Sequence, residues 1–152
     1  MKAKSFLLAG VALLVATHVS AQSAEEQVRQ RVLSFYQTLN DGNAAAWVEH
    51  NASAASYHGN FPREGALLGT NTPVASNMQQ GFDSGATSYN LTVHHIDVSV
   101  YGGDAAVATF YTTGPSLLAI GRITGTYRVT QVWIREGGAW KVAHFHISPL
   151  VS

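Results

Sequence analysis

Arg128-Val-Thr-Gln-Val-Trp-Ile-Arg-Glu-Gly-Gly-Ala-Trp-Lys-Val-Ala-His-Phe-His-Ile-Ser-Pro-Leu150 contains two alternating apolar runs that meet at Gly137-Gly138. A pair of glycines between such runs predicts a β-hairpin. Trp133 and Trp140 flank its turn, and His144-Phe145-His146 closes its second strand. Working outward, the chain is strand-rich from Thr87 onward. Tyr89 to Val100 alternates and ends in the tight turn Tyr101-Gly-Gly-Asp104, and Ala105 to Thr113 returns. Gly114-Pro115 breaks that strand, and Gly121 marks a bend before the long run Arg122 to Ile134.

Before Thr87 the pattern is helical. Ser23-Ala-Glu-Glu26 has capping-box spacing, in which the serine hydroxyl accepts the Glu26 N–H and the Glu26 carboxylate reaches back. Val28, Val32, Phe35 and Leu39 then recur at helical spacing and form one inward stripe. Asn40-Asp41-Gly42 supplies a glycine suited to a left-handed C-cap, and Asn43 can cap a short second helix through Trp47 and Val48. Between Tyr57 and Leu68 the pattern is irregular, with a short strand around Ser56 to His58; Thr72-Pro73 opens a third helix toward Phe82. Helices first and an antiparallel meander afterwards predict an α+β fold with the helices on one side of the sheet.

Residues 1–21 read as a secretory signal peptide: Lys2 and Lys4, an apolar run from Phe6 to Ala16, then Val19-Ser20-Ala21 with small residues where a signal peptidase cuts. Cleavage after Ala21 leaves 22–152 as a single domain, periplasmic or secreted, with no membrane insertion after processing. Without Lys2 and Lys4 the nine Lys/Arg fall to seven against nine Asp/Glu. That balance has no basic stripe to neutralise phosphates, so a nucleic-acid partner is disfavoured. The chain has no cysteine, which excludes thiol chemistry and cysteine metal sites and leaves stability to a hydrophobic core.

Leu39-Asn-Asp-Gly42 after the first helix, the Gly102-Gly-Asp-Ala-Ala106 turn and the run from Thr130 to His146 together resemble the nuclear transport factor 2-like superfamily. Within it, the chain is similar to SnoaL-like proteins and to the association (hub) domain of calcium/calmodulin-dependent protein kinase II. The resemblance implies a cone-shaped, strongly curved antiparallel sheet wrapped around the N-terminal helices, a pocket between them, and homodimers packed through the outer sheet face. It implies no single activity, because the fold hosts isomerases, cyclases, dehydratases, binding modules and oligomerisation hubs. The hub pocket's arginine positions fall on Thr112, Gln131 and Ile147, so the resemblance implies a small neutral or apolar partner rather than a carboxylate; Arg122 is the one cation that could restore a charge. In the steroid-isomerase branch the donor tyrosine falls on Phe35, with Tyr36 about 100° further around the helix, and the base falls near His58 or Gly59.

The remaining candidates follow from residue chemistry. His58 can accept a proton at neutral pH, and Asp97, on an alternating strand, is either solvent-facing or an inward acid with a raised pKa. They are the two candidate catalytic bases. Tyr36, Trp47, Tyr57, Thr112, Tyr127, Gln131, Phe145 and Ile147 are candidate pocket residues, with Phe145 read first as a core-filling residue. Gln131 stands out, since a buried amide among apolar side chains needs partners. Strict alternation places Trp140, Val142, His144 and His146 on the outer face, where the resemblance implies that Trp140, His144 and His146 form a dimer contact. The two histidines could instead offer two metal ligands, but a third would have to come from His94 or His95. No motif calls for a metal or other cofactor. An oligomerisation module acting through the outer face is the alternative to a binding protein.

Overall fold

The computed structural model describes residues 22–59, 68–69, 71–118 and 121–150; the expected leader lies outside them. Helix α1 (Ala24–Asn40) starts at Ser23, whose Oγ accepts the Glu26 N–H at 3.2 Å. The Glu26 carboxylate turns along the helix, accepting from Gln30 at 2.8 Å and pairing with Arg29 at 3.4 Å. Gly42, at φ 66°, ends the helix in the left-handed conformation open to glycine. Asn43 Oδ1 then accepts the Ala46 N–H at 2.9 Å and starts α2 (Ala44–Val48).

The order continues β1 (Asn51–Gly59), β2 (Leu68–Gly69), α3 (Asn71–Asp83), β3 (Ser88–Tyr89), β4 (Thr92–Tyr101), β5 (Ala105–Thr113), β6 (Ser116–Leu118), β7 (Gly121–Ile123), β8 (Thr126–Glu136) and β9 (Ala139–Pro149). Gly137 and Gly138, at φ 61° and 81°, form the β8–β9 turn, where two positive φ values match the strand twist. Six strands form one sheet in the order β2-β1-β9-β8-β5-β4. The sheet is mixed rather than antiparallel, because β1 joins β9 in parallel while its other pairings are antiparallel. The long run Arg122 to Ile134 is two strands, parted at Thr124-Gly125. Strand β5 likewise stops at Gly114, at φ 120°, where any Cβ would lie 2.1 Å from the Asn90 carbonyl oxygen. Beyond these two breaks, β6 and β7 leave the main sheet and join β3 in a three-stranded one.

Among the described residues, three register shifts interrupt the main sheet, one between β1 and β9 and two that are single-residue insertions. Between His94↔Tyr111 and Asp97↔Thr109, β4 carries one extra residue, with His95 at φ 54°. Between Val132↔His144 and Trp133↔Val142, the extra residue is Ala143 on β9. Each is a β-bulge, which reverses the alternation of side chains beyond it. Trp140 and Val142 therefore face the core with Phe145 and Ile147, and not the outer face with His144 and His146.

The α1 stripe Val28, Val32, Phe35 and Leu39 is buried as its spacing predicts, against Ala106, Ala108, Phe110, Val129, Trp133 and Val142 from the sheet. Side chains fasten the helix to the backbone of the sheet side. Asn40 Nδ2 donates to the Leu91 carbonyl at 2.9 Å, and its Oδ1 accepts the Leu91 N–H at 2.8 Å. Arg31 Nε donates to the Trp140 carbonyl at 3.2 Å, and Arg29 to that of Ile96.

Asn40→Ala removes both bonds and strands both polar groups of Leu91 in a part-buried place. Urea unfolding should show a loss of about 2–3 kcal/mol, against less than about 0.5 kcal/mol for Gln30→Ala on the exposed face.

Candidate functional site

The concave face of the sheet and the side of α1 that rests on it enclose a set of polar atoms with no protein partner among the described residues. Thr112 on β5 and Gln131 on β8 are 1% and 0% exposed. The Thr112 hydroxyl and both ends of the Gln131 amide lack a hydrogen bond, as do the Tyr36 hydroxyl and the Trp133 Nε1–H. Strand pairing lays these side chains out in order: Gln131 is opposite Ala108 on one side and Phe145 on the other, and Trp133 is opposite Ala106 and Val142. Thr112 lies further along the same face, opposite Tyr127.

Aromatic rings wall this region. Phe35 stacks on Phe145 with centroids 6.0 Å apart, and meets Tyr36, Trp47 and His50 at 5.4, 6.0 and 5.9 Å. The Tyr36 ring meets Phe110 edge-on at 5.5 Å. Phe35 and Tyr36 are thus both buried although they are consecutive, because α1 lies in a concavity and is covered over more than one stripe. Burial pushes the Tyr36 phenol far above its ordinary range, with Tyr89 adding to the effect. The buried polar residues described are His50, Asn51, Thr112, Ser116 and Gln131, so no carboxylate, lysine or arginine is among them. Among the described residues, a charged ligand would find no buried counter-charge there.

Of the sequence-derived candidates, Tyr36, Trp47, Thr112, Gln131 and Ile147 are buried on this inner side, and Tyr127 and Phe145 are half-buried against the core. Tyr57 and His58 lie on β1, paired in backbone register with Phe145 and His146; their side chains lie outside the described residues. Asp97, past the bulge at His95, is exposed opposite exposed Thr109, which is the solvent-facing one of its two expected placements. Trp140 is corrected as an outer-face residue. It is 3% exposed in the core, donates through Nε1 to Gln27 at 3.3 Å and lies under the Arg135 guanidinium at 4.5 Å. His144 and His146 remain half-buried on the convex face, opposite Val132 and Thr130. His94 Nε2 lies 2.8 Å from Thr113 Oγ1, and among the described residues no three His, Cys, Asp or Glu side chains gather as a metal site. Arg122 is exposed.

His50 was not a candidate. It is 3% exposed, has Ser34 Oγ 3.3 Å from Nε2, and has an enclosed Nδ1 with no partner. Its signal in the sequence is short: Ala44, Trp47 and His50 follow one another at i+3, one helical face continuing past the end of α2. Burial lowers its pKa from 6.5 to about 4, reinforced by the charges of Arg31 and Lys141. Elsewhere, an open groove of about 300 Å³ runs between the end of α1 and α3, lined by Leu39, Asp41, Phe82, Asp83 and Tyr89. None of the unpartnered polar groups lines it.

The SnoaL-like domain family has a model that matches residues 28–152. Solved structures with the same fold include an NTF2-like protein from Cytophaga hutchinsonii, at 11% identity and TM-score 0.72 over 85% of this chain and 100% of that one. A ketosteroid isomerase-like protein from Erwinia carotovora atroseptica is 15% identical, with TM-score 0.67 over 84% and 97%. The CaMKII hub of S. rosetta is 19% identical, with TM-score 0.66 over 86% and 100%. Comparison with curated proteins finds no match.

His50 should leave a signature in stability against pH. Between about pH 6.5 and about pH 4 the unfolded chain binds a proton at this imidazole that the folded chain does not. Its contribution is therefore complete above about pH 6.5 and is lost as the pH falls toward about 4. Urea midpoints measured across this window should fall less steeply in His50→Gln than in the parent; parallel slopes would show that His50 titrates normally.

Proposed function

The chain belongs to the SnoaL-like domain family, and we propose that it is an exported protein that takes a small neutral, mostly apolar molecule into the concavity between α1 and the sheet. The observation that carries this reading is the unpartnered Gln131 amide, buried at 0% exposure with Phe145 opposite. A buried polar group left without a partner costs about 1–3 kcal/mol, and folded proteins keep few of them. Gln131 offers a donor and an acceptor, and Tyr36, Thr112 and Trp133 add further unpartnered groups. A ligand that is apolar in bulk, with one or two uncharged polar groups, satisfies such a lining. The leader-like residues 1–21 support export.

Turnover of the isomerase, dehydratase or cyclase type is the catalytic extension of this reading. The fold shared with a ketosteroid isomerase-like protein is consistent with it, and His58, on the strand beside β9, is the base named from sequence. The second reading is an oligomerisation module acting through the convex face. It draws on the likeness to a CaMKII hub and on His144 and His146 on that face. A homodimer is compatible with both.

A native mass spectrum of residues 22–152, purified from its own compartment, separates the two. A dimer carrying a reproducible small extra mass supports the pocket; an empty, larger ring or a complex with a second polypeptide supports the module. Gln131→Leu sharpens the test. In the empty protein it should raise stability by about 1–2 kcal/mol, since it removes two unpaired polar groups. It should weaken a polar-headed ligand about tenfold or more. Unchanged affinity would remove Gln131 from the site.

A further inference from the structure

His50 joins two environments. Its ring is edge-on to Phe35, which stacks on Phe145, the cross-strand partner of Gln131. Its Nδ1 is enclosed and unpartnered, while Nε2 lies 3.3 Å from the hydroxyl of exposed Ser34 on α1. The backbone holds the residue in place, with the His50 carbonyl accepting the Val142 N–H at 2.7 Å. One nitrogen is thus enclosed, and the other meets water through a hydroxyl that can both accept and donate.

We propose that His50 and Ser34 form a proton relay between the concavity and solvent, with His50 Nδ1 the base for a neutral substrate that carries an acidified C–H bond. This rests on the reading of the concavity as a pocket for a small neutral molecule. The resting ring donates Nε2–H to Ser34 Oγ and leaves the Nδ1 lone pair free. Nδ1 takes the substrate proton as the C–H electron pair moves into the substrate. The imidazolium then passes its Nε2 proton through Ser34 to water, and the ring regains its first tautomer by exchange with water after the product leaves. Burial, with Arg31 from α1 and Lys141 from β9 adding to it, disfavours the imidazolium. Glu49, beside His50, is the acidic neighbour; its carbonyl accepts from both Arg31 and Lys141.

The test uses 5-nitrobenzisoxazole, a flat neutral aromatic. When a base removes its isoxazole C–H proton, the N–O bond breaks, the electrons pass to oxygen and a coloured cyanophenolate forms. Binding is followed separately by quenching of tryptophan fluorescence. The relay predicts saturable ring-opening that is level between about pH 5.5 and about pH 8 and falls below about pH 5. It should drop at least about tenfold in His50→Gln and several-fold in Ser34→Ala, both checked for a parent-like circular dichroism spectrum. Nitrogen-15 NMR should find His50 protonated at Nε2 in the resting protein. Quenching with ring-opening that ignores His50, or a resting Nδ1–H tautomer, overturns the relay and leaves the pocket standing. No quenching overturns the pocket reading, and the relay with it.

Discussion

A sheet can wrap a helix only if its strands bend, and in the middle of this sheet two of the bends are made by single residues at set places. One extra residue on β4 and one on β9 kink the middle of the sheet. Two glycine breaks release the ends of β5 and β8 into a second, smaller sheet. The concavity, the double burial of Phe35 and Tyr36 and the enclosure of Gln131 all depend on that curvature. At Gly114 the dependence is steric, because the Asn90 carbonyl occupies the space a side chain would need.

The interior so formed combines features that a simple core would avoid. Aromatic rings surround amide, hydroxyl, indole and imidazole groups, and among the described residues no buried charge accompanies them. A core selected for stability alone would replace Gln131 and Thr112 with apolar residues of similar volume, since unpaired polar groups in a low-dielectric interior weaken the fold. Their presence is the physical basis for reading the concavity as a place where other molecules bind. The positions matched to hub arginines are inward-facing, but their chemistry is uncharged.

Much of the fold was legible in the sequence because it is written in local signals. The Ser23 and Asn43 caps, the Gly42 terminus, the four-residue apolar stripe of α1 and the Gly137-Gly138 turn each work within a few residues. The site was less legible because facing in a strand was inferred from unbroken alternation. One inserted residue at Ala143 brings Trp140 and Val142 into the core, and one at His95 leaves Asp97 in solvent. Nothing at either position has the glycine or proline that usually announces a bulge. His50 escaped notice because it lies just past a five-residue helix, where too little period exists to show which way a side chain faces.

The ties between α1 and the β4 side of the sheet have a consequence for life at high concentration. Strand β4 is an outer strand, and such strands carry spare backbone groups that can recruit another molecule's strand. Here Arg29 occupies the carbonyl of Ile96, and Asn40 engages both backbone groups of Leu91, one residue before the strand begins. The bulge at His95 interrupts the straight run between these points. The helix that fills the concavity thus also occupies part of this edge, so a chain that loses its grip on α1 uncovers more of an edge template at the same moment as it opens its core.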